Sequence, residues 1–119
     1  MSARNLYLLI YNDFMGPFDD VKKFLDSRPE VSNWYACLPH SFFILSESNA
    51  YTLATLFMQT SKEFFKEHIG TFAYSRFIVT KLDPTDMQGI LPQPVWDFLK
   101  NPKTSKEDPG AKFPPVGYP

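Results

Sequence analysis

Cysteine is nearly absent. Cys37 stands alone in 119 residues, so no disulfide within the chain can brace the fold, and a reducing, cytoplasmic setting is expected. An excess of charge is missing as well. Twelve basic against thirteen acidic side chains leave a net charge of -1. That balance supplies no long-range field for nucleic acid or an anionic membrane, and either partner would need a local patch. No apolar run approaches the ~20 residues that cross a bilayer. The opening MSARNLYLLIY lacks the charged start, long apolar stretch and small-residue cleavage site of a secretion signal. A soluble protein that does not engage membranes is expected.

Apolar residues, by contrast, are plentiful: 44% are hydrophobic and 17% aromatic, enough to fill the core of one domain of this length. NLYLLIY (5–11) is a short apolar run closed by the breakers of NDFMGP, and reads as a central strand. PFDDVKKFLDSRP (17–29) opens on proline, carries Asp19 and Asp20 in its first turn, and spaces Phe18, Val21 and Leu25 three and four apart. Such a pattern predicts an amphipathic helix that stops before Pro29. VSNWYACL (31–38) and SFFILSES (41–48) are two strand-length runs joined at Pro39 and His40, a β-hairpin. A second helix is predicted from the cap Asn49 to the stop Gly70, with Leu53, Leu56, Phe57, Phe64 and Phe65 broadly on one side and an interruption near Thr60 and Ser61. TFAYSRFIVTKLD (71–83), rich in β-branched and aromatic residues, is the fourth strand.

Strand, helix, strand, strand, helix, strand is the order of the ferredoxin-like βαββαβ fold, an α+β architecture in which two helices cover one face of a four-stranded antiparallel sheet. A short third helix is expected in PQPVWDFLKN (92–101), with Val95, Trp96 and Leu99 as its apolar stripe, packed on the sheet edge or on a partner. Residues 1–101 then form one domain. The remainder, 102–119, holds five of the eleven prolines and no periodicity, and reads as an extended tail.

Three constellations bear on function. Cys37 and His40, three residues apart, have the composition of a thiol and its base, but they straddle the hairpin turn. A buried cysteine in a strand and a solvated turn histidine account for them. With His68 as the only other histidine, no zinc-type spacing exists, and neither a metal nor a cofactor is expected. The sheet face away from the helices is the second. If Leu6, Leu8 and Ile10 meet the helices, then Tyr7 and Tyr11, joined by Phe43 or Phe42, form an aromatic patch on the other side. That patch needs a cover: a partner subunit, the C-terminal segment or stacked bases. RNA-recognition modules place aromatics on such strands. Here their glycine-aromatic signature is missing from SFFILSES and the chain is not basic, which favours a homodimer. Asp13, in the loop YNDFMG, is the third. It reads as an ordinary turn residue, or as one carboxylate of a pair that a symmetric dimer assembles around a divalent ion.

Together LYLLIYNDF, the hairpin NWYACLPHSFFILSES and the closing RFIVTKLDPTDMQGILPQPVWDFL resemble the small SinR-like proteins, related in fold to the CRISPR-associated integration subunit with its ferredoxin-like dimer. The resemblance spans residues 5–100 and rests on element order, a Trp-containing second strand, and Gln88, Gly89, Leu91, Pro92 and Trp96 in the closing segment. It implies a dimer and, in the nuclease-like relatives, an aspartate directly after the tyrosine that ends strand 1. This chain has Asn12 there and Asp13 one place later. The expectation is therefore a non-enzymatic binding module, acting as a homodimer or on a protein partner. Tyr7, Tyr11, Asn12, Asp13, Phe43 and Trp96 are its candidate contact residues. A metal-dependent nuclease using Asp13, and a nucleotide or single-strand binder using the open face, are the alternatives.

Overall fold

β1 (Asn5–Tyr11) is apolar on both faces, and a strand with two apolar faces is stable only where both are covered. The computed structural model, which describes residues 4–65 and 75–102 and side chains outside 60–65, places it inside a four-stranded sheet of order β2-β3-β1-β4. The other strands are β2 (Asn33–Tyr35), β3 (Ser41–Ser46) and β4 (Phe77–Lys81). All neighbouring pairs are antiparallel: β1 to β3 from Asn5↔Ser46 to Ile10↔Ser41, and β1 to β4 from Tyr7↔Lys81 to Tyr11↔Phe77. β2 and β3 form the predicted hairpin. With α1 (Phe18–Ser27) and α2 (Ala50–Phe65) between strands, this is the ferredoxin-like α+β arrangement.

Local chemistry sets the helix limits. Pro17 precedes α1, Asp19 and Asp20 complement the positive end of its dipole, and Val21 and Leu25 are buried. Ahead of α2, Asn49 caps as expected, its Oδ1 accepting the Thr52 backbone N–H at 2.8 Å. α2 runs unbroken through Thr60 and Ser61, where an interruption was expected. The expected stop at Gly70 and the first part of the expected fourth strand, 71–74, lie outside the described residues, as does the proline-rich stretch beyond Pro102.

The main core lies between the sheet and these two helices. It takes Tyr7, Leu9 and Tyr11 from β1, with Trp34, Phe42, Ile44, Leu53 and Phe57. The polar tips it buries are paired: the Trp34 indole N–H donates to Asp26 at 2.8 Å and the Tyr7 hydroxyl to the Ser48 carbonyl at 2.7 Å. The conditional reading of β1 is thus reversed. Tyr7 and Tyr11 meet the helices, only 3% and 5% exposed, their rings filling the core between sheet and helices while the Tyr7 hydroxyl reaches the Ser48 carbonyl.

Leu6 and Leu8 face the opposite side, and the chain itself covers much of it. α3 (Gln93–Lys100) packs Val95, Phe98 and Leu99 onto Leu6, Tyr35, Phe43 and Leu45, with Leu82, Met87 and Leu91 of the connecting segment alongside. α3 therefore lies on the face of the sheet, not on its edge. Its stripe also differs from the expectation: Phe98 is buried, and Trp96 only partly. Val95, Phe98 and Leu99 stand at i, i+3 and i+4, whereas Trp96 is turned ~100° from Val95 about the helix axis.

Candidate functional site

The loop after β1 is built by three residues that leave two others outside. Asn12 clamps β1 to the start of β4: its backbone N–H donates to the Arg76 carbonyl and its Oδ1 accepts the Arg76 N–H, both at 3.0 Å. Met15 is fully buried and anchors the single 3-10 turn Asp13–Met15. Gly16 follows at φ 136°, ψ 161°, a conformation open almost only to glycine. Asp13 and Phe14 project, the Asp13 side chain being 86% exposed.

His40 approaches this loop from the hairpin turn. Its backbone sits in the left-handed region at φ 55°, and its carbonyl accepts the Tyr11 N–H at 3.0 Å. From that position the ring meets Tyr11 edge-on, with centroids 5.6 Å apart, and Nε2 lies against Asp13 Oδ1. Cys37, three residues before His40 and not expected to act with it, lies elsewhere. It follows β2 instead of lying within it, half-buried against the second core, where burial pushes its thiol pKa up and keeps it protonated. The two residues form no nucleophile-base pair.

Burial, and secondarily the Asp13 charge, push the Tyr11 hydroxyl up to about 12, which makes it a poor acid. What the cluster offers chemically is an exposed imidazole–carboxylate pair on a fixed loop, able to accept or donate hydrogen bonds to a docked group. As an ion pair in water it contributes ~0–1 kcal/mol to folding. Among the described residues no group of three or more His, Cys, Asp or Glu side chains is placed to hold a metal ion.

Of the six expected contact residues, Tyr11, Asn12 and Asp13 come together here, Asn12 in a structural role. Tyr7 and Phe43 are core residues on opposite sheet faces, and Trp96 is half-buried on α3. Sequence reasoning missed the Asp13–His40 pair. The signal was available, since pairing β1 antiparallel to β3 sets the loop after β1 beside the turn before β3.

A second feature lies at the same end of the sheet, on the α3 side. Ile10 and Ile78 are register partners on β1 and β4, 47% and 58% exposed. Among the described residues β4 is an edge strand, so this apolar pair lies at an edge of the sheet. Among the described residues no helix is long and apolar enough to cross a membrane. No family model, curated protein or solved structure matches the chain.

Proposed function

We propose that the chain is a non-enzymatic binding module that acts as a homodimer. The observation that carries this reading is the exposed Ile10–Ile78 pair beside the edge strand. Most of the second apolar face has its cover in α3, and what α3 leaves open is a compact aliphatic spot of the kind that pairs with a copy of itself about a two-fold axis. The resemblance to SinR-like proteins, with the dimer it implies, points the same way. Sedimentation equilibrium at micromolar concentration is the test. Wild type should be dimeric and Ile78→Lys monomeric with an unchanged circular dichroism spectrum; a monomeric wild type at all concentrations would sink the reading.

One observation favours a second reading, divalent-metal-dependent nuclease action through Asp13: its carboxylate projects from the tip of a loop, where a dimer partner's copy can approach. His40 already engages that carboxylate and competes with a cation for it. Assayed on single- and double-stranded substrates with magnesium and with manganese, Asp13→Asn should lose cleavage while remaining dimeric. Cleavage equal to wild type removes the nuclease reading. Base stacking on the sheet has less support, because Tyr7 and Tyr11 lie under the helices.

A further inference from the structure

At the other end of the α3-covered face the fold leaves a cleft of about 570 Å³, within the usual range of small-ligand sites. It is bounded by the start of β1, the end of β4 and the C-terminal end of α3. Its apolar wall is made by Leu6, Leu45, Leu82 and Leu99, three of which belong to the buried second core and are held rigidly. The cleft is therefore continuous with packed apolar surface, although it opens to solvent.

Charge around this opening is one-sided in a chain that is otherwise balanced. Among the described residues, Arg4, Lys81 and Lys100 line it, against a single carboxylate, Asp83. Asp83 is already committed. Its Oδ1 accepts the Thr85 hydroxyl at 2.6 Å and the Thr85 backbone N–H at 2.9 Å, and these bonds, helped by Lys81, hold its carboxyl below the ordinary range. Arg4 sits one alternation step beyond Leu6, on the same side of the sheet, and its Nε donates to Ser32 Oγ at 3.3 Å. That bond steadies the guanidinium and leaves its two terminal amino groups with no hydrogen bond among the described residues. Lys100, in the last turn of α3, offsets the negative end of the helix dipole that would otherwise repel an anion.

We propose that this cleft binds a small amphipathic anion: an apolar body laid on the leucine wall and a phosphate, sulfate or carboxylate head at the Arg4–Lys100 rim. An arginine offers a planar fork to such a head group and a lysine a mobile point charge, so the two together accept a phosphate from different directions. The site lies at the opposite end of the sheet from Ile10 and Ile78, and the proposal does not depend on dimerisation.

Octyl phosphate, kept below its micellar concentration, is the probe, titrated into the full chain with amide chemical shifts as the readout. Saturable binding is expected, with the shifts centred on Leu6, Leu45, Leu82 and Leu99. Octanol and inorganic phosphate, each carrying one half of the chemistry, should bind at least tenfold more weakly. Arg4→Glu combined with Lys100→Glu, two exposed positions whose reversal leaves the core intact, should weaken octyl phosphate tenfold or more. The proposal is overturned if octyl phosphate shows no saturation, if octanol binds as tightly, if the charge-reversed variant binds equally well, or if the shifts centre on Ile10 and Ile78. Vesicles of phosphatidylglycerol separate a membrane headgroup from a free ligand: binding to vesicles with no binding of monomeric octyl phosphate also overturns it.

Discussion

Truncating Phe98 tests whether α3 is part of the domain. Phe98 is 4% exposed, and its ring lies 5.2 Å from that of Tyr35 at an interplanar angle of 57°, across the interface between α3 and the sheet. Phe98→Ala removes nearly all of that burial and leaves a cavity that Val95 and Leu99, fixed on the same helix, cannot fill. The cost should be ~3–5 kcal/mol. Domains of this size have ~5–15 kcal/mol in total, so the urea midpoint should fall by about a fifth or more. An eight-residue helix is not stable alone, and α3 should also lose its helical signal if its docking fails. Trp96→Ala is the control. The indole is larger but only partly buried at the margin of the stripe, and it leaves no enclosed cavity, so its loss should cost less, ~2–3 kcal/mol on the area it covers. Both variants are compared by urea unfolding followed by circular dichroism. An unchanged midpoint for Phe98→Ala, or a greater loss for Trp96→Ala, would refute the assignment of the docked stripe to Val95, Phe98 and Leu99.

Tyr11 should make the fold sensitive to alkali. Its pKa stands at about 12 in the folded chain against an ordinary 10.0, so the folded state keeps a proton that the unfolded state releases; stability is constant below about pH 10 and falls as the pH rises toward 12. The difference between wild type and Tyr11→Phe over that window should reach ~1–2 kcal/mol after allowing for the screening of Asp13 by water, and parallel stability curves would count against it. Cys37 should react with iodoacetamide at pH 8 several-fold more slowly in the folded chain than in urea, since burial keeps the thiol protonated; equal rates would place it in open solvent. Gly16→Ala should cost ~1–3 kcal/mol in thermal or urea unfolding, the strain of a side chain at φ 136°, and a neutral effect would mean that the loop rearranges freely.

Element order was legible because its signals are local. The Asn49 cap, Pro17 before α1 and the breakers after Tyr11 act within a turn of the residues they govern, and each stands where it was read. Which face of β1 meets which layer was not legible, because Leu6 and Leu8 are as apolar as Leu9, and alternation alone cannot choose between two greasy sides. The choice is made at long range. Tyr7 reaches Ser48 across 41 residues, and the rings of Tyr11 and Phe42 stack 6.0 Å apart, contacts that exist only where β3 is paired with β1. The expected stripe of α3 includes Trp96, whereas helical spacing from Val95 gives that place to Phe98. The same long-range logic governs the candidate site. Asp13 and His40 lie 27 residues apart and meet only because β1 and β3 are neighbours, so the pair is legible from the strand pairing and not from any local pattern around either residue. Once β1 is seen to be covered on both sides by its own chain, the case for a partner rests on what is left over: Ile10 and Ile78 at one end of the second face, and at the other a leucine-walled cleft rimmed with positive charge. Two ends of one face then call for different kinds of partner, an apolar surface at the first and an anion at the second, because α3 is too short to cover both.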